Sequence, residues 1–119
     1  ILLSTYNTNI NYLKQQIDSI LNQDYPEISL LIRDDGSTDG TVDILKEYAQ
    51  KYRDIDYYVG ENLGVQNSFF DLMKRADKRA YYYAFADQDD VWLPGKIKRA
   101  IELLERDTKA FPSPGSFLL

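Results

Sequence analysis

Three carboxylates fall within four residues at Asp87-Gln88-Asp89-Asp90, directly after the apolar and aromatic run Tyr81-Tyr-Tyr-Ala-Phe-Ala86. Such a run reads as a buried strand. Acidic groups crowded at its end repel one another unless a cation sits among them. Hard divalent cations such as Mg²⁺ or Mn²⁺ prefer oxygen ligands, and Mg²⁺ is commonly held by one or two carboxylates together with substrate phosphates. The tetrad therefore points to a metal–phosphate species bound at a strand end. A capped loop ahead of a helix beginning at Pro94 needs only one Asp, not three.

A second acidic cluster, Asp34-Asp-Gly-Ser-Thr-Asp39, follows another apolar segment. Gly36 to Asp39 are turn formers, and Ser37 to Asp39 suit a helix cap. Adjacent carboxylates after a strand are not explained that way, so Asp35 is the functional candidate. A rival reading treats Asp35, Ser37, Asp39, Gly40, Thr41, Val42 and Asp43 as the start of an EF-hand calcium loop. Its last ligand should be a bidentate Glu, but that position is Lys46, and a strand precedes the loop instead of a helix. A third arrangement, Asp34, Asp35 and Asp87 around Mg²⁺ as in phospho-acceptor domains, lacks the expected Lys at a later strand end, because Lys96 lies beyond Pro94.

The elements that must position these clusters alternate. Ile1–Ser4 is a short strand. After Asn7-Thr-Asn9, the residues Ile10, Leu13, Ile17, Ile20 and Leu21 recur at helical spacing to about Asn22. Ile28–Arg33 is a second strand, and Thr38 is the expected N-cap of a helix burying Leu45, Tyr48, Ala49 and Tyr52. Ile55–Val59 is a third strand. Val65, Phe69, Leu72, Met73 and Ala76 mark a third helix. The fourth strand spans 81–86, and Pro94 opens a last helix carrying Ile97, Ala100, Ile101 and Leu104.

This alternation predicts an α/β fold, a three-layer α/β/α sandwich with a mostly parallel sheet. Ligands of such sheets bind outside the carboxyl ends of the strands. Those ends here carry Ser4-Thr-Tyr-Asn7, Asp34–Asp39, Gly60-Glu-Asn-Leu-Gly64 and Asp87–Asp90, all on one expected rim. Tyr6 could contact a base there. The tyrosines at 57–58 and 81–83 read as strand formers with buried rings, and Trp92 as a packing residue.

Composition narrows the chemistry. The 119 residues suit one domain, and a net charge of −5 argues against a nucleic-acid surface. No apolar run approaches the roughly 20 residues that span a bilayer. With no Cys and no His, thiolate and imidazole metal sites, disulfides and His-based triads are excluded within the chain. Residue 1 already lies in an apolar segment, and Phe111–Leu119 is a loop-like tail ending in an apolar stub with nothing to pair with. The expectation is a domain over 1–110 followed by a tail or continuation, forming the front portion of a longer protein.

The four clusters, in this order and with Val91, Trp92, Pro94 and Lys96 following the tetrad, resemble the family 2 glycosyltransferases of the GT-A fold. The bacterial branch building surface polysaccharides, with its rhamnosyltransferase-like members, is most similar. The resemblance extends to about residue 106. It implies a glycosyltransferase that takes a nucleotide-sugar donor (UDP- or dTDP-linked) and transfers the sugar, with inversion, to a glycan or lipid-linked acceptor. By the same resemblance Ser4 and Tyr6 border the base and Asp35 accepts from the uracil or thymine N3–H. Asp87-Gln88-Asp89 matches the Asp-x-Asp motif: Asp87 lies near the ribose, with Gln88 beside it at the nucleotide. Asp89, with Asp87, then ligates Mn²⁺ or Mg²⁺ across the diphosphate. No Lys or Arg lies between residues 54 and 73, which leaves more of the diphosphate charge to the metal. The implied catalytic base lies beyond Leu119. The implied setting is cytoplasmic, with peripheral membrane association, if any, through other regions of the polypeptide.

Overall fold

A computed structural model describes residues 1–88, 90–108 and 117–118. In chain order the elements are β1 (Leu2–Thr5), α1 (Ile10–Leu21), β2 (Leu30–Asp34), α2 (Thr41–Lys51), β3 (Ile55–Val59), α3 (Val65–Arg75), β4 (Tyr82–Tyr83), β5 (Phe85–Ala86), α4 (Lys96–Thr108) and β6 (Phe117–Leu118). The main sheet has the order β3-β2-β1-β5, and every pairing in it is parallel. β1 is central and fully buried, as expected of a strand covered on both faces.

Alternation along the strands sorts the core into two layers. Leu3, Ile32, Ile55 and Ala86 face Leu13, Ile17 and Ile20 of α1, Leu45 of α2 and Ile97 and Ile101 of α4, with Trp92 closing that layer. On the other face Leu2, with Leu31, Tyr58 and Phe85 beside it, packs against Phe69 and Leu72 of α3 and Ala76 at its C-cap. Three helices thus cover one face, and α3 covers the other.

Several boundaries differ from expectation. α2 begins at Thr41 and not at Thr38; Gly40 stands at its N-cap, and Asp39 Oδ1 accepts from Thr41 N at 2.9 Å. Pro94 and Gly95 form the turn before α4. The expected strand 81–86 divides at Ala84: Phe85 and Ala86 pair with β1, whereas Tyr82 and Tyr83 pair with Phe117 and Leu118. The apolar stub therefore does find a partner. Tyr81 lies outside the strands with 50% of its surface exposed, so its ring is not buried. Val65 and Met73 are exposed as well, because α3 meets the sheet through Ser68, Phe69 and Leu72.

Candidate functional site

The carboxyl ends of β1, β2 and β5 lie side by side, and the loops leaving them are tied to one another. Asn7, the only non-glycine residue with positive φ among the described residues, sits at φ 43°, a conformation Asn tolerates better than most residues. Its N–H donates to Ser37 Oγ at 2.8 Å, and its Oδ1 accepts from Thr38 N at 2.8 Å. The loop after β1 is thereby fastened to the loop after β2. Tyr6 N donates to Gln88 Oε1 at 2.7 Å, which fastens it to the loop after β5.

Asp34 and Asp35 have separate tasks. Asp34 is fully buried; its carboxylate accepts from Thr5 Oγ1 at 2.9 Å, Ser37 Oγ at 2.6 Å and Ser37 N at 2.7 Å. It shapes the turn at Gly36, whose φ of 83° suits glycine. Asp35 faces the α3 side. Its Oδ1 accepts from Arg33 Nη1 at 2.5 Å and Leu63 N at 2.9 Å, and its Oδ2 from Gly64 N at 3.0 Å. Asn62 Nδ2 donates to the Asp35 carbonyl at 3.2 Å. The Asn62-Leu-Gly64 segment is thus held by Asp35 through main-chain and side-chain bonds, and Gly64 adopts φ 87°.

Behind Asp35 lies a polar network that sequence reasoning missed. Arg33 is 2% exposed. Its Nε donates to Asp71 Oδ2 at 3.2 Å, its Nη1 also to Ser68 Oγ at 3.0 Å, and its Nη2 to the Glu61 carbonyl at 2.9 Å. Asp71 further accepts from the Tyr58 hydroxyl at 2.7 Å. Burial works against the Arg33 charge, but Asp35 and Asp71 outweigh it and raise its pKa above the ordinary value. The Tyr58 hydroxyl, then Arg75 and Arg33, hold the Asp71 carboxyl below its usual range. An Arg inside a strand, with an Asp two residues on and an Asp on the following helix, is the signal that could have found this network.

Ser4 is buried, and its Oγ shares a 2.6 Å hydrogen bond with Ser68 Oγ. That commits it to the Arg33 network. Tyr6 is 42% exposed at the rim. Asp87 is exposed, with its carbonyl accepting from Gln16 Nε2, and Gln88 is half-buried against Tyr6. Asp89 lies outside the described residues. Asp90 is exposed and forms a loose 3.9 Å pair with Lys96, whose ammonium also lies 4.5 Å from the Trp92 ring centre.

The tetrad loop is carried by α1, a second feature unread in the sequence. Gln16 and Ser19 on α1, and Gln23 just past its C-cap Asn22, turn to this loop. Ser19 Oγ accepts from Trp92 N at 2.9 Å. Gln23 donates to the Leu93 carbonyl at 2.8 Å and accepts from Ile97 N at 3.0 Å. Gln16 Oε1 and Trp92 Nε1 are buried without a hydrogen-bond partner among the described residues.

The calcium-loop alternative does not survive this geometry. Asp35, Ser37 and Asp39 turn to Arg33, Asp34 and Thr41 respectively, and no group of three or more acidic residues gathers around a cation position among the described residues. Asp34, Asp35 and Asp87 do not gather either. Asp87 is different: its exposed carboxylate is in no ion pair among the described residues. As a hard oxygen donor it fits Mn²⁺ or Mg²⁺, the remaining ligands coming from elsewhere, as is usual for Mg²⁺ on phosphates.

A parallel α/β sheet with polar loops along one rim is the Rossmann-like architecture of GT-A proteins. The sequence model described as Glycosyl transferase family 2 matches residues 1–117, and the chain belongs to that family. It is 38% identical over 106 residues to the dTDP-rhamnosyl transferase RfbG of Shigella flexneri, covering 86% of this chain and 36% of that protein. It is 33% identical over 120 residues to the putative teichuronic acid biosynthesis glycosyltransferase TuaG of Bacillus subtilis, covering 100% of this chain and 46% of that protein. The chain thus spans less than half the length of either relative. The structure of S. aureus TarS 1-349 in complex with UDP superposes with a TM-score of 0.76 at 26% identity, over 88% of this chain and 31% of that one. The mannosyltransferase PcManGT of Pyrobaculum calidifontis, solved with GDP-Man and Mn²⁺, shares the fold at 22% identity, with a TM-score of 0.74 over 87% of this chain and 31% of that one.

Proposed function

We propose that this chain is the donor-binding part of a glycosyltransferase that uses a UDP- or dTDP-linked sugar, takes a divalent cation and serves surface polysaccharide synthesis. One observation carries the reading: the loops after β1, β2 and β5, bearing Tyr6, Asp35 and Asp87, are hydrogen-bonded to one another into a single rim. The relation to a dTDP-rhamnosyl transferase and the likeness to a protein crystallised with UDP support both nucleotides.

In this reading Tyr6 borders the base and Asp35 accepts from its imide N–H. Ser4 acts through Ser68 and Arg33 and not by direct contact. Gln88 holds Tyr6 against the tetrad loop, so base and diphosphate are bound in fixed relation. Asp87 and Asp89 would hold Mn²⁺ or Mg²⁺, which supplies charge neutralisation to a departing diphosphate when bound. Transfer with inversion to a glycan or lipid-linked acceptor, and work at the cytoplasmic face of a membrane, belong to the same proposal.

A thermal-shift titration with UDP and dTDP, each with and without Mn²⁺, tests it, because a ligand that binds only the native state raises its melting temperature. The expected result is nucleotide stabilisation that needs Mn²⁺ and disappears in Asp89→Ala. No shift with either nucleotide overturns the proposal.

A further inference from the structure

Asp35 is an acceptor with little left to give. A carboxylate offers about four acceptor positions. Arg33 Nη1 and Leu63 N take both on Oδ1, and Gly64 N takes one on Oδ2. A single position on Oδ2 remains for a ligand. Nor can the carboxylate readily turn to offer another pair. Arg33, which grips Oδ1, is itself held by Asp71, Ser68 and the Glu61 carbonyl. It also lies against Gly60, where a Cβ would come within 2.2 Å of Nη2.

We infer that Arg33 is a positioning residue that fixes Asp35 as a one-position acceptor and thereby selects the base of the donor. This rests on the donor-binding proposal above. Uracil and thymine present one N–H flanked by carbonyl oxygens, which one free acceptor position satisfies. Guanine presents N1–H and N2–H side by side and needs both carboxylate oxygens, but Oδ1 is full. Cytosine turns an unprotonated ring nitrogen toward the carboxylate and meets lone pair with lone pair. The selection comes from saturating a buried acceptor, so a mismatched base leaves a polar group unpaired where water cannot compensate. The pyrimidine dione edge is shared by UDP and dTDP, and Arg33 does not distinguish them.

The test is calorimetric titration of the 119-residue chain, with Mn²⁺ present, against UDP, dTDP, CDP and GDP. UDP or dTDP is expected to bind about 10-fold or more tighter than GDP and CDP, the cost of one unmade hydrogen bond at a buried group. Two variants then perturb the clamp independently. Arg33→Met removes the guanidinium, and Gly60→Ala displaces it while keeping its charge. In each, the preference over GDP should fall about 5-fold or more. A purely structural Arg33 would weaken all four nucleotides in parallel and leave their ratios unchanged, and that overturns the inference. So does GDP bound by the wild-type chain as tightly as UDP and dTDP, a result that needs no variant to fold. Failure to bind any nucleotide instead overturns the donor-binding proposal, and this inference with it.

Discussion

At the scale of single residues, two adjacent aspartates do opposite things because a strand points consecutive side chains to opposite faces. Asp34 turns to Thr5 and Ser37 and builds the turn, whereas Asp35 turns to Arg33 and the loop ahead of α3. Sequence reasoning could single out Asp35 because two carboxylates exceed what a turn needs. It could not foresee Arg33 as partner, since charge on a strand normally signals an exposed face. Gly60 gives a stability prediction. Its missing Cβ makes room for the guanidinium, so Gly60→Ala should cost about 1–3 kcal/mol in urea unfolding, as overpacking does; a loss under 0.5 kcal/mol would show that Arg33 moves aside freely. Asp87→Asn should leave the unfolding free energy in urea within about 0.5 kcal/mol of wild type, since the side chain is exposed. The Mn²⁺-dependent part of nucleotide stabilisation should nonetheless drop, read by melting temperature with and without the metal.

At the scale of elements, helices were legible where one apolar stripe meets a clear cap. α1 runs from Ile10 to Leu21, and Asn9 Oδ1 accepts from Asn11 N at 3.0 Å and Tyr12 N at 3.2 Å. Asn9→Ala should therefore lower stability by about 1 kcal/mol, measured by denaturant midpoint. Gln16 and Ser19 of α1, and Gln23 just past its C-cap, were illegible because such polar residues are mostly exposed. They are instead the supports of the tetrad loop. Gln23→Ala would strand the Ile97 N–H and the Leu93 carbonyl, so a loss of about 1–3 kcal/mol is expected. The run 81–86 was read as one strand because its composition is uniform. Its division at Ala84 depends on residues 117–118, a partner far along the chain that no local pattern announces.

At the scale of the whole molecule, charge sets the pH limits of the fold. Asp71 is held below its usual range by the Tyr58 hydroxyl and then by Arg75 and Arg33; Asp39 is held there by its bonds from Thr41. Such carboxylates bind fewer protons folded than unfolded, so their contribution is present above a pH of about 4 and is lost as pH falls through the depressed folded values. The urea midpoint should decline on acidification below about pH 4, and Asp71→Asn should flatten that decline. On the alkaline side, burial first and then hydrogen bonds to Asp18 and Asp71 raise Tyr48 and Tyr58. Their contribution is intact below a pH of about 10 and is lost as pH rises beyond it. The parallel order of the sheet and the single rim were readable from strand–helix alternation alone, because that pattern leaves few topologies open.

The place of β1 in that sheet has a consequence for how the protein is made. Within the main sheet β1, Leu2–Thr5, is synthesised before its neighbours, yet it sits in the middle, between β2 and the much later β5. Its apolar side chains and one row of its amide groups must wait, uncovered, until Phe85 and Ala86 have been synthesised. No earlier nascent intermediate can close the central seam, and one edge of the growing sheet stays open to wrong partners. A sheet begun from its centre stays vulnerable until its last strand, β5, has been made. Stalled or truncated nascent chains ending before β5 should therefore recruit chaperones that the completed chain releases.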